Sequence, residues 1–258
     1  MIPVNTYVPD PPRTAVVTGA AGGIGRAIAI KLLQAGHRVA LVDSNEEALS
    51  EAMHGLDADR AMPVCLDLAD LASPGALDTA VRSRWEPASI LVNNAAISPK
   101  HDGKAAGLEQ VTVQEWQLVM EINVAVPMRL AARLVPFMRE QGWGRIVNVS
   151  SRAGRSIANA AGPAYMTSKA AVLGLTRSIA CDYAPYGVTC NSVAPGFVET
   201  ALTRAIAPEL RDAIQARTPL GRGGEPQEVG AVIAFLASHD AGFITGACLD
   251  VNGGAFMC

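Results

Sequence analysis

No CxxC pair, no HExxH and no other ligand spacing occurs in this chain of 258 residues. Its five cysteines (Cys65, Cys181, Cys190, Cys248, Cys258) and four histidines (His37, His54, His101, His239) are scattered. An odd set of unclustered thiols excludes a disulfide framework and reads as reduced cysteine in a cytoplasmic protein. The histidine spacing offers no metal site. No apolar run approaches the roughly 20 residues that span a bilayer, so no membrane partner is expected. The opening MIPVNTYVPDPP lacks the basic and apolar regions of a signal peptide. Its four prolines make residues 1–12 an extended N-terminal arm. Charge is scarce at 17% of residues, and a net −3 leaves no basic footprint for nucleic acid. What the chain has is apolar residue, half of the total, enough to bury a large core and exclude general disorder.

Short apolar runs alternate with longer amphipathic ones. Arg13–Thr18, Arg38–Val42, Met62–Leu66, Ser89–Val92, Arg145–Val149, Val188–Val193 and Ala247–Val251 read as seven strands. Helices are predicted over Gly23–Gln34, Asn45–Met53, Ser73–Arg84, Thr112–Arg139, Ala164–Ala184 and Glu228–Ala237. Ser73-Pro74 reads as an N-cap with proline at the first helical position, and Thr112 to Glu115 as a capping box. The strands are apolar on both faces, as in a parallel sheet covered by helices on each side. With no linker and no repeat, residues 13–258 form one domain: an α/β doubly wound parallel sheet of seven strands, the Rossmann architecture.

The first strand runs into Thr18-Gly19-Ala20-Ala21-Gly22-Gly23-Ile24-Gly25, which opens the first helix. Glycine there lets the backbone approach a pyrophosphate, whose charge is met by the helix N-terminus. GxGxxG spacing fails, since Ile28 holds the third position; TGxxxGxG stands instead. Asp43 ends the second strand, 18 residues past Gly25. A carboxylate there accepts hydrogen bonds from the ribose hydroxyls of NAD and opposes the 2′-phosphate of NADP. Asp67, with Leu68 beside it, follows the third strand at the level of an adenine. An aspartate that only caps its own loop is the competing reading.

Tyr165 and Lys169 are four apart in a helical segment and so share a face, one turn apart. An ammonium beside the phenol is expected to favour its ionised form. Ser151 ends a buried strand, where such sheets place ligands, and can bind the oxygen that Tyr165 protonates. Ser150 competes, but neighbouring strand side chains point to opposite faces, so one of the two serves. Asn123 interrupts an apolar helix: either a satisfied core amide or the holder of a water that feeds protons to Lys169.

These motifs together resemble the short-chain dehydrogenase/reductases over nearly the whole chain. The likeness is carried by TGAAGGIG (18–25), LVNNAA (91–96), IVNVSS (146–151), YMTSK (165–169), APGFVET (194–200), LGRGGEPQEV (220–229), ITG (244–246) and DVNGG (250–254). The resemblance implies hydride transfer between NAD and a small alcohol or ketone, with Ser151, Tyr165, Lys169 and Asn123 as the catalytic group. It implies cofactor contacts at Asn94 and, after Pro195-Gly196, at Val198 and Thr200. It also implies a homotetramer, which would cover the apolar tail Ala255 to Cys258. Ala96 departs from the usual glycine and should tighten one turn. Gly22 also fits the longer epimerase-like branch, whose extra C-terminal domain this chain is too short to carry.

Within the family the look is nearest to 3-oxoacyl-acyl-carrier-protein reductases. Those mostly use NADPH, however, and Asp43 stands where a neutral residue is expected. The arginines that dock their carrier fall at Gly142 and Tyr186. An NAD-linked dehydrogenase therefore ranks first, the carrier-protein reductase second and a non-catalytic dinucleotide sensor third. The substrate pocket is expected from Ile97–Val111, Arg152–Ala164 and Phe197–Arg217. Lys100, His101, Asp102, Lys104 and Arg152 lie near its mouth.

Overall fold

Along β1 (Thr14–Thr18) successive side chains face opposite ways, and both sets are buried. Ala15 and Val17 enter one core, Val16 the other. In the computed structural model, which describes residues 11–156, 161–200, 203 and 208–257, this alternation builds a two-faced sheet. The remaining strands are β2 (Arg38–Asp43), β3 (Ala61–Cys65), β4 (Ile90–Asn93), β5 (Gly144–Val149), β6 (Val188–Pro195) and β7 (Cys248–Val251). All seven pair in parallel in the order β3-β2-β1-β4-β5-β6-β7. The order reverses between β1 and β4, which opens a crevice at their C-terminal ends.

One face is covered by α1 (Gly23–Gln34), α2 (Glu46–Ala52) and α8 (Pro226–Leu236), through Ile28, Leu32, Leu49, Ile233 and Leu236. The other is covered by α3 (Ser73–Arg82), α5 (Val126–Glu140) and α6 (Pro163–Tyr183), through Leu77, Leu130, Met138 and Ile179. At about 25 cal/mol per Å² of apolar surface removed from water, these two layers are the main stabilising term.

Three expectations change. Ser73 is not the N-cap of α3: Asp70 Oδ1 accepts from Ala72 N at 2.9 Å, so the turn begins earlier and Ala72 takes the cap. Thr112 does cap α4 (Val113–Met120), accepting from Glu115 N at 3.1 Å. The other half of the box is missing, because the Glu115 carboxylate pairs instead with His101 Nε2 at 2.7 Å. Finally, Thr112–Arg139 is not one helix. Between α4 and α5 the segment Glu121–Ala125 winds as a π-helix, with Val126 N reaching back to Glu121 O. Pro127 stands four residues past Asn123 and has no N–H for its carbonyl, which disfavours the α pattern there. A further helix, α7 (Pro208–Ala216), lies in a stretch read only as pocket wall. Residues 1–10 of the expected arm, parts of two pocket segments (157–160, 201–202 and 204–207) and Cys258 of the tail lie outside the described residues.

Candidate active site

The glycines at the head of α1 fall into two kinds. Gly19 and Gly23 have φ of 61° and 52°, in the left-handed region that side chains avoid. Gly25 is set by space: a Cβ there would stand 2.0 Å from Gly19 O. Gly22, by contrast, has extended backbone and nothing within 4 Å of a Cβ, so glycine is not required there. Ile24 follows on the half-buried first turn. Gly22 supplies no side-chain cap, and the first turn holds no acidic residue. A bare helix N-terminus behind a backbone with no Cβ in the way suits a pyrophosphate, so the turn fits a dinucleotide.

Asp43 closes β2 beside this turn. Its Oδ2 accepts from Ala21 N at 3.1 Å and its Oδ1 from Asn45 N at 3.2 Å. Arg26 is turned away, donating to Ala52 O and His54 O, each at 3.0 Å. Asn94 props the turn from β4: its Nδ2 donates to Thr18 O at 2.9 Å and to Gly19 O at 3.0 Å. Its side chain thus acts on the turn's backbone. Asp67 is exposed and accepts from Ala69 N at 2.9 Å, which is the loop-capping geometry; Leu68 next to it is buried. Ala96 is exposed and outside the left-handed region, so alanine is unstrained.

β5 ends by splitting the two serines. Ser150 Oγ donates to Lys169 O at 2.7 Å, fastening α6 to the sheet. Ser151 faces the crevice: its Oγ accepts from Ala153 N at 3.1 Å and is hydrogen-bonded to the Tyr165 phenol. Lys169 is wholly buried one turn on, its Nζ donating to Val149 O at 2.7 Å. Gly154 packs directly on that lysine's backbone, since a Cβ there would lie 2.5 Å from Lys169 C.

The electrostatics differ from expectation. Burial raises the Tyr165 pKa, and the Ser151 hydrogen bond is what opposes this. The Lys169 Nζ lies 5.7 Å from the Tyr165 ring centre and is itself pushed down to about 8 by burial. The phenol therefore keeps its proton at neutral pH and is a proton donor. Two O–H groups converge here, so an oxygen set between Ser151 and Tyr165 can take a hydrogen bond from each.

The Asn123 side chain is hydrogen-bonded at both its oxygen and its nitrogen. Its Oδ1 accepts from Ile97 N at 2.9 Å, while its Nδ2 donates to Ile97 O at 3.0 Å and to Ser168 Oγ at 2.9 Å. Ser168, which the sequence did not single out, also donates to Tyr165 O at 2.8 Å. Asn123 thereby ties the wall segment at Ile97 to the helix that carries Tyr165. β6 runs on through Pro195, and at Gly196 a Cβ would meet Asn252 Cα at 2.8 Å. Beyond it Val198 is buried, and the Thr200 side chain reaches within 3.2 Å of where a Cβ on Gly23 would be. The loop after β6 thus closes over the glycine-rich turn. Among the described residues no group of His, Cys, Asp and Glu could hold a metal, and no helix is long and apolar enough to cross a membrane.

Glycine turn, terminal aspartate and a serine–tyrosine–lysine group on one Rossmann sheet define a dinucleotide-dependent oxidoreductase. Residues 19–255 match the family model described as enoyl-(acyl carrier protein) reductase, and the chain belongs to this short-chain dehydrogenase/reductase family. It is 38% identical over 245 residues to a 3-oxoacyl-(acyl-carrier-protein) reductase of Vibrio cholerae, covering 95% of this chain and 98% of that one. It is 39% identical over 247 residues to the 2-(R)-hydroxypropyl-CoM dehydrogenase of Xanthobacter autotrophicus, covering 93% and 97%. Among solved structures, a 3-oxoacyl-(acyl-carrier-protein) reductase from Brucella melitensis with bound NAD superposes with a TM-score of 0.87 at 34% identity, covering 95% and 92%. As a family member the protein interconverts CH–OH and carbonyl groups with a nicotinamide dinucleotide.

Proposed function

We propose that the enzyme oxidises a small secondary alcohol, or reduces the matching ketone, in partnership with NAD(H) rather than NADP(H). The carrying observation is the hydrogen-bonded Ser151–Tyr165 pair above a buried Lys169. When bound, the nicotinamide ring supplies the hydride or takes it up. Ser151 holds the substrate oxygen, and Tyr165 gives that oxygen a proton on reduction; for oxidation the phenol must first release its own proton, so that direction runs through its minor ionised form. Lys169 supplies a buried cation beneath the phenol, and Asn123 positions the helix through Ser168. Gly19, Gly22, Gly23, Ile24 and Gly25 line the pyrophosphate; Asp43 meets the adenosine ribose, with Asp67 and Leu68 beyond it. Asn94 holds the turn, while Pro195, Gly196, Val198 and Thr200 form the nicotinamide side. Asp43 is the basis for NAD: Arg26, the cation that follows Gly25, is occupied by the carbonyls of Ala52 and His54.

The subunits assemble as a homotetramer in the cytoplasm in this reading. Exposed Phe243, Met257, Leu118 and Met128 support the assembly, and Cys65, Cys181 and Cys190, none in a disulfide among the described residues, support the compartment. A second reading, 3-oxoacyl-carrier-protein reductase, is favoured by the Vibrio relative and by Arg139. The exposed Arg139 guanidinium lies 5.7 Å from the Tyr186 ring, near where a docking cation is expected. The deciding experiment is turnover of secondary alcohols, sugars and hydroxy acids with NAD, beside a 3-oxoacyl thioester with NADH and NADPH. Turnover in the first set with NAD supports the proposal. Turnover of the thioester alone, with NADPH, replaces it with the second reading.

A further inference from the structure

Glu199 stands between Val198 and Thr200, yet its side chain is only 7% exposed. A carboxylate that deep is stable only when paired. Its partners come from α7, outside the loop. Arg211 Nη2 lies 2.8 Å from Oε2, Arg211 Nε donates to Oε1 at 3.2 Å, and Gln215 Nε2 donates to Oε1 at 3.1 Å. The pocket is shaped to it: a Cβ at Gly223 would lie 2.7 Å from Oε1. Backbone bonds seat the same segment, with Glu199 N donating to Gly224 O at 2.8 Å and Gly224 N to Phe197 O at 2.9 Å. Thr203 Oγ1 donates to Val198 O and accepts from Thr200 N, both at 2.7 Å. On its far side the segment touches the glycine-rich turn, through Thr200 against Gly23.

An unbroken path therefore runs from α7, in the wall of the expected substrate pocket, through Glu199 to the turn at the head of α1. We propose that Glu199 is a positioning residue. Gripped by Arg211 and Gln215, it presses Val198 and Thr200 onto the cofactor side of the crevice and makes dinucleotide affinity depend on where α7 sits. The inference rests on the reading above that puts the cofactor against Val198 and Thr200.

The test is NADH affinity of the whole protein by fluorescence titration, with thermal unfolding measured beside it. Arg211 is 38% exposed, so Arg211→Met is expected to fold and to bind NADH ~tenfold more weakly. Arg211→Lys, which keeps the charge but not the fork, should recover part of that loss. Glu199→Gln keeps the shape, removes the charge and should weaken NADH by a similar factor; it stands in if Arg211→Met does not fold. NADH affinity unchanged in Arg211→Met or Glu199→Gln, whatever the melting temperature, overturns the proposal, as does a loss that lysine leaves untouched. Thr200→Val separates the two layers. If it weakens NADH while the Arg211 and Glu199 variants do not, the coupling alone is wrong. If it too leaves NADH unmoved, the placement of the loop on the cofactor falls first.

Discussion

The Lys169 ammonium donates to the main-chain carbonyl of Val149, 2.7 Å away, and not to the phenol of Tyr165, whose ring centre lies 5.7 Å off. A cation is thus buried on the strength of one carbonyl and the neighbouring ring. Burial pulls its pKa from 10.5 to about 8. Between those two pH values the unfolded chain binds the proton that the folded one has released, so stability rises with pH across the window. Below pH 8 the buried charge lowers stability by a constant amount, on the order of 3 kcal/mol. Lys169→Met should therefore be inactive yet at least as stable as wild type at pH 7. Its advantage should shrink towards pH 10.5. Thermal unfolding of both proteins at pH 7 and pH 10 checks this; an advantage that grows with pH contradicts it.

The glycine-rich turn makes a prediction that separates neighbours. Gly25→Ala puts a Cβ 2.0 Å from Gly19 O, so backbone must move, and loss of NADH binding with about 1–3 kcal/mol of stability is expected. Gly22→Ala has open space and extended backbone, and should keep its stability within ~1 kcal/mol. Denaturant unfolding and NADH titration of both variants report the contrast. Equal effects would mean the turn is not built as described.

Asp43 sets the cofactor ratio. Opposed to a 2′-phosphate about 4 Å away, a carboxylate at an effective dielectric near 20 repels by roughly 4 kcal/mol. Screening and movement reduce this to about 1–3 kcal/mol, or roughly 5- to 150-fold. The expected kcat/KM preference for NAD over NADP is at least about tenfold. Asp43→Ala should lower NAD use and raise NADP use together. A ratio unmoved by the substitution would leave Asp43 as an anchor for Ala21 N and Asn45 N alone.

Much of this was legible in the sequence, for reasons that also mark where reading stops. The strands show because Ala15, Val16 and Val17 are apolar on both faces and the run is short, as in a doubly covered sheet. Tyr165 and Lys169 show because helical period places them together. Non-local pairing does not show. The Glu199–Arg211 pair spans twelve residues and two elements, and PELRDAIQA, amphipathic but short and polar on average, reads in sequence only as pocket wall. The capping role of Glu115 was lost to His101, fourteen residues away. Pro127 was visible, but its effect on the Asn123 turn appears only once the backbone is built. Sequence gives the proximity of lysine and phenol but not their burial, and burial is what raises the Tyr165 pKa.

The assembly is testable in one run. Phe243 is wholly exposed and Met257 is 73% exposed, while Phe256 is already covered by the Arg155 guanidinium 5.1 Å from its ring. Light scattering at micromolar protein should give a mass four times 26.8 kDa. Particles of single-chain mass would refute the tetramer.

The most direct test of the account is the rate of NADH formation by Tyr165→Phe, with whichever secondary alcohol of the panel turns over best. The ring stays to pack, while the proton-carrying oxygen and its bond to Ser151 are removed. General acid–base assistance of this kind is typically worth about 10²–10⁴-fold, or roughly 3–5 kcal/mol. A fall in kcat of at least about 100-fold, with NADH affinity held within about threefold, is the predicted result. A rate within about tenfold of wild type would show that Tyr165 does not carry the proton and would contradict the mechanism.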